Sequence, residues 1–466
     1  MGNLKLKELS KIGYTDNQAR ALVVQTMSKY YKHENAAVLL QLLKNIRQQP
    51  EQYLQDAVLG KIARTFITEE KVCTFRSFDL LQNAGALHLF GAKYIEASAK
   101  QQMEVAMSLP VSLQGAMMPD AHTGYGLPIG GVLATDNAVI PYAVGVDIGC
   151  RMAISIVDAD ASYVKRYAYQ LKQALKQYTH FGTEGFLEFK QEHEILDDTR
   201  FQQTALLRKL HGKAIQQLGS SGSGNHFVEF GIIDLEEGNS LQLPAGAYTA
   251  LLSHSGSRGL GANVAMEYTR IAMDQCKLPG SARSLAWLDL DTEAGQEYWM
   301  GMELAGDYAK ACHDRIHHNL LRALDLKPLA QVSHHHNYAW KETLPDGTPA
   351  IVHRKGATPA HKGALGIVPG SMTTAAYLVE GLGNERALQS AAHGAGRAMS
   401  RKRAKENMTV SDMKKMLAHA EVTLIGGSVE ENPRAYKDIE EVIAAQSELV
   451  TVQGRFVPKI VRMCKD

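Results

Sequence analysis

Apolar residues recur at helical spacing through the first part of the chain. Leu22, Val23, Val24 and Met27, then the stretch from Ala36 to Leu43, interleave with Lys, Arg and Gln and predict helices over about residues 19–68. A further helix is predicted over about 93–108. From 113 to 160 the pattern shortens to strand-length apolar runs between turns: 129–134, 139–140 and 152–157. Residues 160–216 return to helical spacing, with Leu171, Leu175, Leu206, Leu207 and Leu210 as buried positions. Strands follow near 226–232 and 249–253. A long amphipathic helix over about 293–325 repeats Met302, Ala305, Ala309, Cys312, Ile316 and Leu320. His313, His317 and His318 lie on or beside it and read as solvated or packed helix residues rather than ligands. Strands near 329–333, 349–353 and 364–368, a helix after Gly370, and helices over about 384–392 and 409–421 complete the pattern. It predicts an α+β fold: a mainly helical portion over 1–92, then one large domain of mixed sheets surrounded by helices over 93–466.

Composition narrows the class without naming a chemistry. A chain of 466 residues, 45% hydrophobic and 21% charged, can bury a large core. A net charge of +1 argues against a histone-like mode of nucleic-acid binding and leaves room for a local basic groove. The five cysteines, Cys73, Cys150, Cys276, Cys312 and Cys464, are few and far apart, which fits a reducing compartment and a cytoplasmic protein. No signal core or membrane-length apolar run is seen, and Leu6 stands where a lipidation start at Gly2 would need Ser or Thr.

Candidate chemistry gathers in glycine-rich surroundings. In the run His334-His335-His336, strand alternation puts the first and third imidazoles on one face and the second on the other. Asp147 and Cys150 pair a hard carboxylate with a thiolate able to bridge two cations, and Gly149 between them lets the backbone bend. A strand end with a buried thiol would present the same residues. The loop 219–224 offers backbone donors for phosphate before Asn225, His226 and Glu229, and His254 ends an apolar strand with Arg258 beyond it. Such wide separation fits a site assembled from several strand ends, and mixed oxygen, nitrogen and sulfur donors favour manganese or zinc over magnesium. Further on, residues 353–358 and 369–374 combine cations, hydroxyls and glycines as phosphate-binding turns do. His393 opens a glycine turn with Arg397 nearby. It reads either as a nucleophile toward phosphorus or as a satisfied structural imidazole.

Taken in order, the motifs Met118–Gly131 (MPDAHTGYGLPIGG), Val144–Cys150 (VGVDIGC), Gly224–Phe227 (GNHF), His254–Gly259 (HSGSRG), His336–Ala339 (HNYA), His353–Thr358 (HRKGAT), Pro369–Met372 (PGSM) and His393–Arg397 (HGAGR) resemble the RtcB family of RNA-splicing or RNA-repair ligases. The likeness covers about residues 95–466. It implies an RtcB-like catalytic domain that uses GTP and two manganese ions, with zinc as the second choice. It also implies joining of RNA 2′,3′-cyclic phosphate or 3′-phosphate ends to 5′-hydroxyl ends through a histidine-linked GMP. By the same resemblance, Asp147, Cys150 and His226 hold one metal and Cys150, His254 and His336 the other. His393 is then the catalytic nucleophile. Asn225, Glu229, Ser371, His393, Gly394, Ala395, Gly396, Arg397, Tyr436 and Lys465 contact the nucleotide, and Arg151, Arg258, Arg354 and Lys355 are assigned to RNA or phosphate. The family default is a monomer without membrane association; an activating partner is not readable from the chain.

Four positions depart from the family pattern. Arg151 follows the metal cysteine and Thr373 follows Ser371-Met372, where the family has glycine; Pro359 stands in place of arginine, and the chain ends Lys465-Asp466. None removes a ligand or the nucleophile. They read as marks of a divergent bacterial paralogue devoted to RNA repair. Arg151 and Thr373 also motivate an alternative: a metal-dependent phosphoesterase or nucleotidyltransferase on the same scaffold. A non-catalytic RNA-binding repair subunit would have no use for so complete a ligand set.

Overall fold

The N-terminal apolar stripe closes on itself. In a computed structural model describing residues 6–15, 17–32, 34–66, 75–82, 85–182 and 190–465, the chain divides into two compact units, Met1–Thr74 and Phe75–Asp466. In the first, helices Asn17–Tyr30 and Ala36–Gln48 bury Val23, Met27, Leu39, Leu43 and Ile46. Asn35 caps the second helix by accepting the Ala37 N–H, which satisfies a donor the helix itself cannot. Tyr14 Oη donates to the Leu43 carbonyl at 2.9 Å. The last two residues of the predicted helical stretch, 67 and 68, lie outside the described residues, as do Cys73 and Gly2. Strand Ala86–Leu89 pairs in parallel with Ser112–His122, so this stretch, grouped by sequence with the N-terminal portion, hydrogen-bonds within the second unit.

Two large sheets, with three two-stranded pairs beside them, build the second unit. The larger has eight strands. Seven run in the order Pro328–His335, Arg151–Asp160, Gly246–Ser255, Phe227–Leu235, Val450–Met463, Ala376–Gly381, Leu365–Pro369; Thr423–Ile425 adds in parallel to Val450–Met463. The smaller runs Asn337–Thr343, Pro349–Lys355, Ile129–Thr135, Ser112–His122, Ala86–Leu89. The chain passes from one sheet to the other at His336, between Pro328–His335 and Asn337–Thr343. Long helix Glu293–Ala323 buries Met302, Ala305, Ala309, Cys312, Ile316 and Leu320, the stripe seen in the sequence.

Elsewhere the local pattern misled. No helix follows Gly370: residues 371–374 turn and lead into strand Ala376–Gly381. The stretch 384–392 is a 3-10 turn, Glu385–Ala387, followed by strand Ser390–Ala392. Its alanines, good helix formers alone, are held extended by pairing with Ala357–Pro359. Helix Arg258–Gln275 and strand Val450–Met463 are not predicted by the apolar spacing. No helix among the described residues is long and apolar enough to cross a membrane.

Candidate active site

Strand ends from both sheets converge on a cavity of about 980 Å³. Asp147 and Cys150 reach it from the turn before strand Arg151–Asp160, His226 from just before Phe227–Leu235, His254 from the end of Gly246–Ser255, and His336 from the crossover between sheets. Two glycines make the approach possible. Gly149 has φ +71°, and a Cβ there would lie 2.7 Å from Gly306 Cα on the long helix. At Gly256 a Cβ would collide with the Asp147 carboxylate.

The donor atoms crowd together. Cys150 Sγ lies 3.2 Å from His254 Nε2 and 3.5 Å from His226 Nε2. His254 Nε2 lies 3.2 Å from His336 Nε2, and His226 Nε2 lies 3.0 Å from Asp147 Oδ2. They form two groups that share the thiol: Cys150, His254 and His336; Asp147, Cys150 and His226. Within each group the ligand atoms lie within 4.8 Å of one another. His254 Nδ1 lies 3.2 Å from the Asn225 carbonyl, which can only accept. In the neutral ring Nδ1 therefore carries the proton, and the Nε2 lone pair faces the cluster. Burial pushes His254 down to about 3, so the ring stays neutral. Burial, reinforced by the Asp147 carboxylate, pushes the Cys150 thiol well above its ordinary range. Burial also raises Asp147, but the His226 hydrogen bond and charge outweigh it and hold the carboxylate below its usual value. Lone pairs that converge with too few protons between them are what a divalent cation relieves, and the sulfur and nitrogen donors fit a transition metal. The residues fit the implied metals.

A second constellation lies beside the first. The His393 and His336 rings are 5.1 Å apart. Asp120, fully buried, holds His393 twice: Oδ2 accepts the backbone N–H at 3.1 Å and lies 2.7 Å from Nδ1. Nε2 is the ring nitrogen left for chemistry. Arg397 donates to Glu431 Oε2 at 2.9 Å and lies over the Tyr436 ring, whose hydroxyl donates to the same carboxylate. Glu229 is buried on the cavity wall, and burial pushes its carboxyl up to about 8. Lys355 also reaches the cavity. Its ammonium donates to the Tyr125 and Tyr142 carbonyls, and burial pulls it down to about 7.

Most residues expected at the site line this cavity: the five metal-ligand candidates, Asn225, Glu229, Ser371, His393, Gly394, Ala395, Gly396, Arg397, Tyr436 and Lys355. Four do not. Arg354 is fully buried, with Glu342 at 2.6 Å and the Ser390 hydroxyl at 2.7 Å, so its charge is already neutralised away from the cavity. Strand alternation turns Arg151 from the metal side toward the long helix, where it donates to the Gly306 carbonyl at 3.4 Å. This corrects the expectation of a long cation beside the ligands, and with it the main motive for the alternative chemistry. Arg258 sits behind His226, donating to the Ser220 hydroxyl and the Gly182 carbonyl. Lys465 is exposed, two residues beyond the strand that ends at Met463.

Asp120, His122, Asn337 and Glu431 line the cavity or support it and were not assigned from the sequence. One signal for Asp120 was available: a lone carboxylate within an apolar run, Ala116–Ala121, that reads as a buried strand needs a buried partner. Within the run His334-His335-His336, His335 stacks on Tyr338 with ring centroids 4.8 Å apart, and His334 Nε2 accepts the Ile367 N–H at 2.8 Å.

Comparison with known proteins identifies the family. A family model described as tRNA-splicing ligase RtcB matches residues 101–463. The chain is 33% identical over 389 residues to the RNA-splicing ligase RtcB of Escherichia coli strain K12, covering 77% of this chain and 92% of that protein. It is 32% identical over 412 residues to the RNA-splicing ligase RtcB of Mycobacterium tuberculosis H37Rv, covering 73% and 94%. The tRNA-splicing ligase RtcB of Nanoarchaeum equitans is 31% identical over 433 residues, covering 77% and 90%. The chain belongs to the RtcB family of tRNA-splicing ligases.

Proposed function

We propose that this protein is a GTP- and manganese-dependent RNA ligase that joins 2′,3′-cyclic phosphate or 3′-phosphate ends to 5′-hydroxyl ends. The observation that carries the reading is His393 fixed at Nδ1 by buried Asp120, with its ring 5.1 Å from that of His336 in the donor cluster. An imidazole held in one tautomer beside a charge-neutralising centre is equipped to attack phosphorus. Asp147, Cys150 and His226 would hold one divalent ion and Cys150, His254 and His336 the other; when bound, the ions supply neutralisation of triphosphate charge.

In the first step the His393 Nε2 lone pair forms a bond to the α-phosphorus of GTP, the α–β phosphoanhydride breaks, and pyrophosphate leaves. Asp120 holds the Nδ1 proton and balances the positive charge that develops on the ring. An oxygen of the RNA 3′-phosphate then displaces His393 from that phosphorus, giving RNA-(3′)pp(5′)G. Finally the 5′-hydroxyl oxygen attacks the RNA 3′-phosphorus, the new phosphodiester forms, and GMP leaves. A cyclic phosphate must first be hydrolysed to the 3′-phosphate. Lys355 and Arg397, the latter paired with Glu431, line the cavity wall; Asn225, Glu229, Ser371, Tyr436 and the 393–397 turn line the same cavity and would contact the nucleotide. The same chemistry serves tRNA splicing or RNA repair.

The test is incubation with α-labelled GTP and manganese, then denaturing electrophoresis. The expected product is a covalent guanylate, stable to alkali and labile to acid, that is absent from His393→Ala. A wild-type chain that never becomes labelled across metals and pH would overturn the mechanism. Labelling without joining of a 3′-phosphate RNA to a 5′-hydroxyl RNA would point to a different acceptor.

A further inference from the structure

Behind the donor cluster, on the opposite face of the same strands, lies a second polar assembly. Helical spacing predicts His313 and His317 as packed or solvated residues of the long helix; both are buried, one turn apart on Glu293–Ala323. Ser253 Oγ lies 2.6 Å from His313 Nδ1 and 2.8 Å from His317 Nε2. Ser155 Oγ lies 2.7 Å from His317 Nδ1 and accepts from Gln331 Nε2 at 2.8 Å. His313 Nε2 lies 3.2 Å from the Ser255 carbonyl.

One carbonyl sets the direction of every proton. Ser255 O can only accept, so His313 Nε2 carries hydrogen and, in the neutral ring, Nδ1 accepts from the Ser253 hydroxyl. Ser253 has then used its single proton and accepts from His317 Nε2–H. His317 Nδ1 in turn accepts from the Ser155 hydroxyl, which accepts from Gln331. Burial lowers His317 to about 4 and His313 well below its ordinary value, which keeps both rings neutral, and with neutral rings this is the one proton arrangement that makes every bond.

The chain joins the helix to three adjacent strands, and its anchor points bracket the metal candidates. Ser253 and Ser255 flank His254, and Ser155 lies on the strand that Cys150 leads into. Because successive strand residues face opposite sides, fixing Ser253 and Ser255 to the helix fixes where His254 projects. Gly149 against Gly306 brings the Cys150 turn onto the same helix. We propose that the Gln331–Ser155–His317–Ser253–His313 chain is a clamp that sets the separation of Cys150 and His254 for metal binding, making Ser155, Ser253, His313 and His317 positioning residues of that centre. This rests on the metal reading given under Proposed function.

The test is cobalt(II) titration of the full-length metal-free protein, followed by the thiolate-to-cobalt charge-transfer band and the visible ligand-field bands. Ser253→Ala is expected to weaken cobalt binding about tenfold, the low end for partners beyond the ligands, and to change the band shape. Thr249→Val is the control, since it removes an equally buried hydroxyl from the same strand, one that donates to Asp160 O at 2.7 Å. It should lower the melting temperature and leave the cobalt spectrum unchanged. If Ser253→Ala does not fold, Ser155→Ala carries the same expectation one link further out. Wild-type affinity and spectrum in a folded clamp variant would overturn the proposal and leave the chain a purely structural tie. A wild-type protein with no thiolate–cobalt band would overturn the metal reading itself, and the clamp with it.

Discussion

Histidines crowd both faces of the same strands, and they differ in what meets their nitrogens. On the cavity face, His226, His254 and His336 bring Nε2 atoms to within 3.0–3.5 Å of a thiol, a carboxylate and one another, and the Nδ1 atoms of His226 and His336 have no hydrogen-bond partner among the described residues. On the helix face, every ring nitrogen of His313 and His317 meets a hydroxyl or carbonyl, and with both rings neutral a single proton arrangement satisfies the chain. Burial alone therefore does not distinguish a ligand from a structural imidazole, since both sets are buried. What distinguishes them is the balance of donors and acceptors: a closed chain needs nothing more, whereas converging lone pairs need a cation.

Several substitutions would break or sharpen that contrast. The largest effect is expected for Cys150→Ala, because one thiol belongs to both donor groups: metal analysis should find neither ion, and ligation should fall below about 1% of wild type. Two retained ions would refute the shared role. Asp120→Asn keeps the shape but presents an amide, or only a weak acceptor, to His393 Nδ1. Guanylylation should slow about 100-fold or more with metal content unchanged, whereas a rate near wild type would mean that Asp120 does not set the tautomer. Gly149→Ala, at the junction of the two faces, must place a Cβ against Gly306 with φ at +71°, and should cost at least about 2 kcal/mol in denaturant unfolding.

Glu229 gives a pH signature for the cavity face. Its folded value of about 8 exceeds the ordinary 4.5, so between these values the folded chain alone keeps the proton. Its contribution is complete below about pH 4.5 and is lost as pH rises through about 8. Glu229→Gln should therefore remove a fall in metal-free melting temperature between about pH 5 and 9; parallel pH curves for the two proteins would contradict this. The smallest effect is expected at His318, exposed and next to buried His317. His318→Ala should change stability by no more than about 0.5 kcal/mol and leave the cobalt spectrum alone.

Legibility in the sequence followed the range of the interaction. The stripe on Glu293–Ala323 was readable because its period is local, yet the same stripe could not say what its buried histidines meet. Ser390–Ala392 was misread as helix because its strand partner, Ala357–Pro359, lies far off in the chain. Arg151 and Arg354 look in sequence like free cations near phosphate motifs. One is turned away by strand alternation and the other is neutralised by Glu342 across a strand pair.

By itself the sequence determined the inventory: an α+β chain, a thiol, a carboxylate and imidazoles spaced too widely for a local metal module, a histidine at a glycine turn, and motifs whose order resembles one family. Only the tertiary structure decided their partners. Asp120 meets His393 across 273 residues, and Cys150 meets His254 across 104. Strand period fixes which residues share a face, but which strands become neighbours depends on packing the whole chain, and proton balance at a nitrogen is settled only by its neighbours.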